Sequence, residues 1–146
     1  MPHFPSEQLL TFATVLSEGT LDAAARLLHI TPSAVSQRLK ALEQSTGSGL
    51  LQRSNPAKAT EAGEVVLRLA RQVAQLEADA GRELGLGADG AQLAVPIVVN
   101  ADSLAVWFLQ ALAKVPADLN VTFDLHRDDE QHSTSLLRSG TVMAAV

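Results

Sequence analysis

Cysteine is absent from this chain of 146 residues. The chain therefore has no disulfide framework, thiol nucleophile or cysteine-based metal site. Long apolar runs are also missing, since none approaches the ~20 residues that cross a bilayer. The start of the chain lacks the basic segment and apolar core of a secretion signal. Together these absences predict a cytoplasmic protein.

The residues that carry most enzyme chemistry form no recognisable pattern. The four histidines, His3, His29, His126 and His132, show no metal-ligand spacing such as HxxxH. No nucleophile occupies a strand-turn-helix elbow, and no glycine loop suited to cradling phosphates is present. Two of the histidines lie near Asp128, but acidic and imidazole side chains are common around a helix start. We predict that the chain is not an enzyme and holds no metal and no cofactor.

Negative charge dominates the chain but is unevenly distributed. The formal net charge is −5; residues 1–60 hold five cations and four anions (+1), whereas residues 61–146 hold six cations and twelve anions (−6). Phosphate affinity depends on local positive charge, so a nucleic-acid site fits only the first part. A local balance of +1 predicts weak non-specific affinity, and useful affinity then requires two copies of the chain.

Residues 20–43 are the most informative segment, because their spacing predicts two short helices joined by a tight turn. Apolar residues recur at i, i+3, i+4 and i+7 on the first helix. Thr31 then supplies a hydroxyl cap, and Pro32 suits the first position of the second helix. Ala24 and Ala25 let the helices cross closely, as a helix-turn-helix requires. The apolar face of the second helix consists of Val35, Leu39 and Leu42.

The outward face of the second helix carries short hydroxyls, one amide and two cations. Such a face is suited to reading DNA bases while holding phosphates. The alternative is a purely structural helix pair. The predicted DNA-binding residues are Thr31, Pro32, Ser33, Ser36, Gln37, Arg38, Lys40, Arg53 and Lys58. Bases are assigned to Ser33, Ser36 and Gln37, and phosphates to Arg38, Arg53 and Lys58.

Flanking segments complete a small domain over residues 1–60. Ser6 is predicted to cap a helix that ends near Gly19. After the second helix, residues 50–53 and 58–60 read as short strands around a turn. A hairpin there would form a wing carrying two of the predicted cations, although each could equally lie in a solvated loop. The buried stripe of the first helix is predicted to be Leu9, Phe12, Ala13 and Leu16.

The next segment, residues 61–86, is predicted to be a linker and dimerisation helix. Thr60 caps it, and it should run to about Leu84, where Gly85, Gly87 and Gly90 follow. A narrow apolar stripe at coiled-coil spacing favours pairing with another helix over packing on the same domain, which stays the alternative. Two-fold pairing would present two recognition helices to two half-sites. The stripe consists of Ala62, Val66, Leu69, Val73, Leu76 and Ala80.

Residues 92–146 change to the order β-α-β-α-β, which implies an incomplete open α/β sheet. Ligands of such sheets bind beyond the carboxyl ends of the strands. Ser103 and nearby backbone N–H groups could hold a carboxylate, and acidic side chains could balance a cation. The alternative is that these residues simply cap helices. The candidate ligand residues are Asn100, Asp102, Ser103, Asp129 and Glu130, whereas Trp107 is predicted to lie in the core.

Residues 20–43 resemble the helix-turn-helix of LysR-type transcriptional regulators. The family's alanine pair stands at Ala24 and Ala25, its V-S pair at Val35 and Ser36, and Leu21 replaces an aromatic residue. The segments TPSAVSQR (31–38), PAKATEAGE (56–64) and NADSLAVWF (100–108) are most similar to the branch that senses basic amino acids and controls their export. The resemblance implies an α+β protein with a winged helix-turn-helix, a dimerisation helix and a partial effector domain similar to periplasmic solute-binding folds.

The resemblance also implies the function. It predicts a sequence-specific regulator that binds an interrupted palindrome in double-stranded DNA as a dimer, with L-lysine or L-arginine as effector and RNA polymerase as a further partner. Family members normally continue for about as many residues again, so the chain is either a natural truncation or a piece of a longer reading frame. Two alternatives stay open: a truncated decoy that heterodimerises with a full-length regulator without sensing ligand, and a solute-binding module with an incidental helical head.

Overall fold

A computed structural model describes residues 3–86 and 93–146, and of Glu130 it describes the backbone only. The chain divides into two compact units, Met1–Glu77 and Ala78–Val146. Each unit has its own cluster of buried apolar side chains. A helical domain, a long helix and a partial α/β region are all present, which confirms the predicted fold class. Gly87, Gly90 and the predicted domain start at residue 92 lie outside the described residues.

Three helices, α1 (Ser6–Glu18), α2 (Leu21–Leu27) and α3 (Pro32–Thr46), form most of the first unit. The predicted cap at Thr31 is confirmed, because its hydroxyl accepts a hydrogen bond from the backbone N–H of Ala34 at 3.1 Å. That oxygen satisfies one of the donors that the first turn leaves free.

The helix-turn-helix core is the one that the apolar spacing predicts. Ala24 and Ala25 are buried between α2 and its neighbours, and Val35, Leu39 and Leu42 form the buried face of α3. On α1, Leu9 and Phe12 are buried as predicted, whereas Ala13 and Leu16 are only partly buried. Close packing of the two helices depends on the small side chains at their crossing.

The start of α1 differs from the prediction. Pro5, not Ser6, occupies the N-cap position, and it makes no side-chain capping bond. Ser6 is the first helical residue, and its hydroxyl donates a hydrogen bond to Glu77 Oε1 at 2.6 Å. The Ser6 hydroxyl, which local spacing predicted to cap the helix, is therefore bonded to the distant carboxylate of Glu77.

The predicted hairpin is present with shorter strands, β1 (Leu51–Gln52) and β2 (Lys58–Ala59), paired antiparallel. The turn between them is tied to the end of α1, because the Ala57 N–H donates to the Gly19 carbonyl oxygen at 2.7 Å. Gly19 adopts a left-handed conformation with φ 78°. A glycine tolerates this conformation without the steric cost that other residues incur.

The long helix α4 (Glu61–Glu83) ends close to the predicted position, and Thr60 Oγ1 accepts a hydrogen bond from the Gly63 N–H at 3.0 Å. The predicted stripe divides into two parts. Its first four residues pack on the cluster of the first unit, which is the alternative that the sequence left open. Leu76 and Ala80 are exposed. The residues that pack on the first unit are Ala62, Val66, Leu69 and Val73.

The second unit contains a three-stranded parallel sheet in the order β4-β3-β5, so the first of its strands is central. The predicted β-α-β-α-β order is confirmed. Val98 and Val99 on the central strand are buried. The elements are β3 (Leu93–Val99), α5 (Ala101–Ser103), a π-helical turn (Leu104–Phe108), α6 (Leu109–Leu112), a 3-10 turn (Ala117–Leu119), β4 (Val121–Arg127), α7 (Glu130–Arg138) and β5 (Ala144–Ala145).

Trp107 does not lie in the core, contrary to the prediction. Its side chain is 48% exposed, whereas the adjacent Phe108 is buried. The two rings meet edge to face with centroids 5.6 Å apart. Phe108 packs against Ile97 and Val99 of the sheet, and Trp107 points to a different side of the helical turn. In the part of the chain that the structure describes, no helix is long and apolar enough to cross a membrane.

Candidate nucleic-acid interface and ligand cleft

The outer face of α3 is a polar stripe at the predicted position. Ser33, Gln37 and Lys40 are exposed at i, i+4 and i+7, and Ser36 beside them is half-buried. Residues at this spacing share one side of a helix. The opposite side is anchored by the buried apolar residues of α3, so the stripe is held outward by the packing of the first unit.

Thr31 and Pro32 lie exposed at the start of α3. The Thr31 hydroxyl oxygen is engaged in the cap, while the positive end of the helix dipole faces outward beside it. Such a helix start favours an approaching phosphate.

Arg38 is half-buried beside this stripe, and its guanidinium bonds to α1. Its guanidinium Nη2 lies 2.9 Å from Glu7 Oε2, and Nη1 donates to Thr11 Oγ1 at 3.4 Å. Both partners belong to α1. The structure therefore places this cation between two helices of the same unit, while Lys40, two residues further along α3, is exposed.

The two hairpin cations, Arg53 and Lys58, are both exposed. Lys58 pairs across the hairpin with Gln52, and both side chains line a groove of the first unit. Leu16 of α1 and Leu27 of α2 line the same groove. Its described lining residues come from α1, α2, the hairpin and α4, and none comes from α3. The sequence predicted the hairpin, but it did not predict the groove between the hairpin, α1, α2 and α4 that Lys58 lines.

The second unit has an open cleft of about 780 Å³ at the carboxyl ends of β3 and β4. Three of the predicted ligand residues, Asn100, Asp102 and Asp129, line it. Arg127 lines it as well, and its register partner is Val99, the residue before Asn100. Arg127 is the last residue of β4 and was not among the predicted ligand residues. The remaining lining residues are Ala101, Asp128 and Gln131.

Capping accounts for part of the predicted ligand set. The Ser103 N–H, expected to hold a carboxylate, donates instead to Asn100 Oδ1 at 2.7 Å. Asn100 Nδ2 in turn donates to the Val146 carbonyl oxygen at 3.2 Å. Ser103 is half-buried and does not line the cleft, and the side chain of Glu130 lies outside the described residues. The Asn100 side chain and the Ser103 N–H, which were predicted to contact a ligand, are therefore hydrogen-bonded within the chain.

Asp129 both caps α7 and contributes negative charge to the cleft. Its Oδ1 accepts hydrogen bonds from the N–H groups of Gln131 at 3.1 Å and His132 at 3.2 Å. The His132 ring lies 2.9 Å away, and its hydrogen bond, followed by that of the His132 backbone, holds the pKa of the Asp129 carboxyl below its ordinary value. The carboxylate is therefore ionised at neutral pH.

A few of these groups lie close enough to share a cation. Ligand atoms of Asp128, Asp129 and His132 fall within 4.8 Å of one another. Both carboxylates already accept backbone N–H bonds at the helix start. His126 instead faces Asp124, with Nε2 3.3 Å from Oδ2. Within this cluster Asp129 caps α7, and Asp128 accepts the N–H of Asp129.

Comparison with known proteins links both units to one group of regulators. Residues 6–64 match the family described as bacterial regulatory helix-turn-helix protein, lysR family. The chain is 45% identical over 145 residues to the HTH-type transcriptional regulator LysG of Mycobacterium tuberculosis, covering 99% of this chain and 47% of that protein. The chain therefore spans about half the length of the relatives that it matches. The relative is named as a regulator, in agreement with the prediction that the chain is not an enzyme.

Solved structures give the same result. The crystal structure of ArgP from Mycobacterium tuberculosis aligns with a TM-score of 0.84 at 46% identity, over 94% of this chain and 46% of that one. LysG from Corynebacterium glutamicum with bound effector Arg aligns with a TM-score of 0.80 at 42% identity, over 97% of this chain and 49% of that one. The similarity includes the helical domain and the α/β region alike.

Proposed function

Since this chain belongs to the LysR family of bacterial helix-turn-helix regulators, as residues 6–64 and its close relatives show, we propose that it is a transcriptional regulator reading DNA with α3. The observation that carries the proposal is the polar stripe of Ser33, Gln37 and Lys40, exposed opposite a fully packed apolar face. An exposed helix face of this chemistry fits the major groove, where amide and hydroxyl side chains distinguish base pairs.

Individual roles follow from position along α3. The first part of a recognition helix contacts base edges, so we assign base reading to Ser33, Ser36 and Gln37. An amide such as Gln37 can form two hydrogen bonds with one adenine. Lys40 and Arg53 are exposed cations and are assigned to phosphates, which position the helix without specifying sequence. The exposed start of α3 at Thr31 and Pro32 would receive a further phosphate.

We propose that the chain acts as a dimer on an interrupted palindrome. The exposed end of the predicted stripe, Leu76 and Ala80, is the part of α4 left for a second copy. Two-fold symmetry would place two copies of α3 on half-sites separated along one face of the duplex. No described residue favours the heterodimerising decoy, and contact with RNA polymerase stays a prediction.

The cleft of the second unit is proposed as the effector site for L-arginine or L-lysine. Among the described residues of its lining, Asp102, Asp128 and Asp129 outnumber the one cation, Arg127. A basic amino acid carries two positive groups and one carboxylate, which matches this balance of charge. A similar protein, LysG of Corynebacterium glutamicum, has been solved with bound effector Arg. Arg127 would pair with the carboxylate, and the acidic residues would pair with the cationic groups.

The test compares two glutamines on one helix. Gln37 and Gln44 are both exposed on α3 and lie two turns apart. Binding is measured by fluorescence anisotropy on a duplex that the wild-type chain selects from a randomised library, against a random duplex of equal length. We expect Gln37→Ala to lower the preference for the selected duplex about tenfold or more, because base hydrogen bonds are lost. Gln44→Ala should leave it unchanged.

Two results would contradict the proposal. Either the preference survives Gln37→Ala, or Gln44→Ala lowers it equally. In both cases the first half of α3 would not be the part that reads sequence.

A further inference from the structure

Arg38 lies on the recognition helix, yet its guanidinium is directed at α1. We infer that Arg38 is a positioning residue, which fixes the orientation of α3 for base reading, and that it does not contact phosphate. The inference rests on the proposed DNA-reading function. It assigns to Arg38 the opposite role from the one that its place in the sequence predicts.

The contacts of Arg38 form a bridge between two helices. One guanidinium nitrogen lies 2.9 Å from the Glu7 carboxylate, and another donates to Thr11 Oγ1 at 3.4 Å. The Thr11 hydroxyl donates its own proton to the Glu7 carbonyl oxygen at 2.6 Å, so its oxygen is free to accept from Arg38. Glu7 and Thr11 are one helical turn apart on α1 and therefore face the same side. The guanidinium spans both of them.

Electrostatics argue against a second role for this cation. Glu7 already neutralises the charge of Arg38, so a phosphate that approached it would meet a cation and an anion together. Counterion release, and with it the salt dependence of binding, follows from cations that neutralise phosphate. A paired arginine contributes little to this release. Lys40, on the exposed stripe of the same helix, is the side chain suited to that role.

The Arg38 bridge also restricts rotation of α3 about its axis. The apolar contacts of Val35, Leu39 and Leu42 are non-directional, so they set the depth of the helix more strongly than its rotation. A charge-assisted guanidinium bridge is directional. Arg38 is adjacent in sequence to Gln37, so a fixed Arg38 constrains the direction of that amide. Reading groups lose discrimination when they are displaced by about 1 Å.

The experiment separates positioning from phosphate contact with matched cations on one helix. Affinities of Arg38→Gln, Lys40→Gln and Glu7→Gln are measured on the selected and random duplexes over a range of salt concentrations. For Arg38→Gln we expect an unchanged slope of log affinity against log salt and a preference for the selected duplex reduced about three- to tenfold. Lys40→Gln should reduce the magnitude of this slope by about 0.9 for each bound copy, and it should weaken binding to both duplexes equally.

Glu7→Gln distinguishes the two roles by the direction of its effect. If Arg38 is a positioning residue, Glu7→Gln lowers the preference for the selected duplex as Arg38→Gln does. The double variant Glu7→Gln with Arg38→Gln then has a preference no lower than that of either single variant. If Arg38 instead contacted phosphate, removing Glu7 would release the cation and tighten binding to both duplexes. Partial unfolding cannot mimic the expected result, because it lowers both affinities by one factor and leaves their ratio unchanged.

Two outcomes would overturn the inference: a slope reduced in magnitude by about 0.9 for each bound copy in Arg38→Gln, or tighter binding of both duplexes by Glu7→Gln. Failure of the proposed function looks different, since the wild-type chain would then show no preference for any selected duplex.

Discussion

Gly63 of α4 lies directly against the segment that enters the hairpin. A Cβ atom added there would lie 2.2 Å from the Leu50 carbonyl oxygen and 3.1 Å from the Ala59 Cβ. The Leu50 oxygen is a backbone atom, and the Ala59 Cβ is bonded directly to the backbone. Neither atom can move away as the end of a flexible side chain can. The absence of a side chain at Gly63 therefore allows the long helix to pack against the hairpin.

We expect Gly63→Ala to lower the free energy of unfolding by about 2 kcal/mol, as overpacking of a close contact does. Gly81 in the same helix is the control, since an added Cβ would meet nothing within 4 Å. Gly81→Ala should raise the free energy of unfolding by up to about 1 kcal/mol, because alanine has the higher helix propensity. Urea denaturation followed by circular dichroism checks both. Equal shifts of the two variants in one direction would contradict the close contact.

At the scale of elements, only part of the α4 stripe packs within the chain. Its first four stripe residues pack on the first unit, whereas Leu76 is 67% exposed. The coiled-coil spacing is equally suited to both kinds of packing, because a helix stripe carries no information about which neighbour covers it. Only the arrangement of the helical domain decides where the intrachain part ends.

Leu76→Gln tests the dimer that we propose. We expect the dissociation constant of the dimer to rise at least about tenfold in this variant. Each copy would lose the burial of one leucine side chain. Leu84→Gln is the control, since Leu84 is similarly exposed at 71% but follows the end of α4. Sedimentation velocity over a range of concentrations measures both. A dimer that tolerates Leu76→Gln as well as Leu84→Gln would place the pairing surface elsewhere.

At the scale of the whole molecule, the exposed stripe of α3 and the cleft of the second unit differ in charge. The exposed stripe of α3 carries Lys40 and no acidic residue, whereas the cleft of the second unit carries three aspartates and one arginine. The overall charge of −5 therefore describes neither site. Because charge acts locally in salt solution, an acidic chain can still bind DNA.

The proposed effector site is tested by calorimetric titration with L-arginine. We expect Asp102→Asn to weaken binding about fivefold or more, since a charge-assisted partner of the ligand is lost. Asp118→Asn is the control, because Asp118 is exposed in the 3-10 turn and does not line the cleft. L-Lysine is titrated in the same series. Binding that is insensitive to Asp102→Asn, or equally sensitive to Asp118→Asn, would remove the cleft from the proposal.

The sequence alone determined what depends on neighbours a few residues away. The cap at Thr31, the buried face of α3 and the ends of α4 follow from hydrogen bonds and apolar periodicity within one or two helical turns. The order of strands and helices in the second unit follows for the same reason. These features would form in almost any compact arrangement of the chain.

Only the tertiary structure decided which distant groups meet. Arg38 bonds to α1, Ser6 bonds to Glu77, and Trp107 stays half-exposed while Phe108 is buried. Each result depends on which elements pack together and at what angle, and local spacing leaves both open. A polar side chain takes the partner that the packed fold brings within about 3 Å, because hydrogen bonds weaken steeply with distance and misalignment.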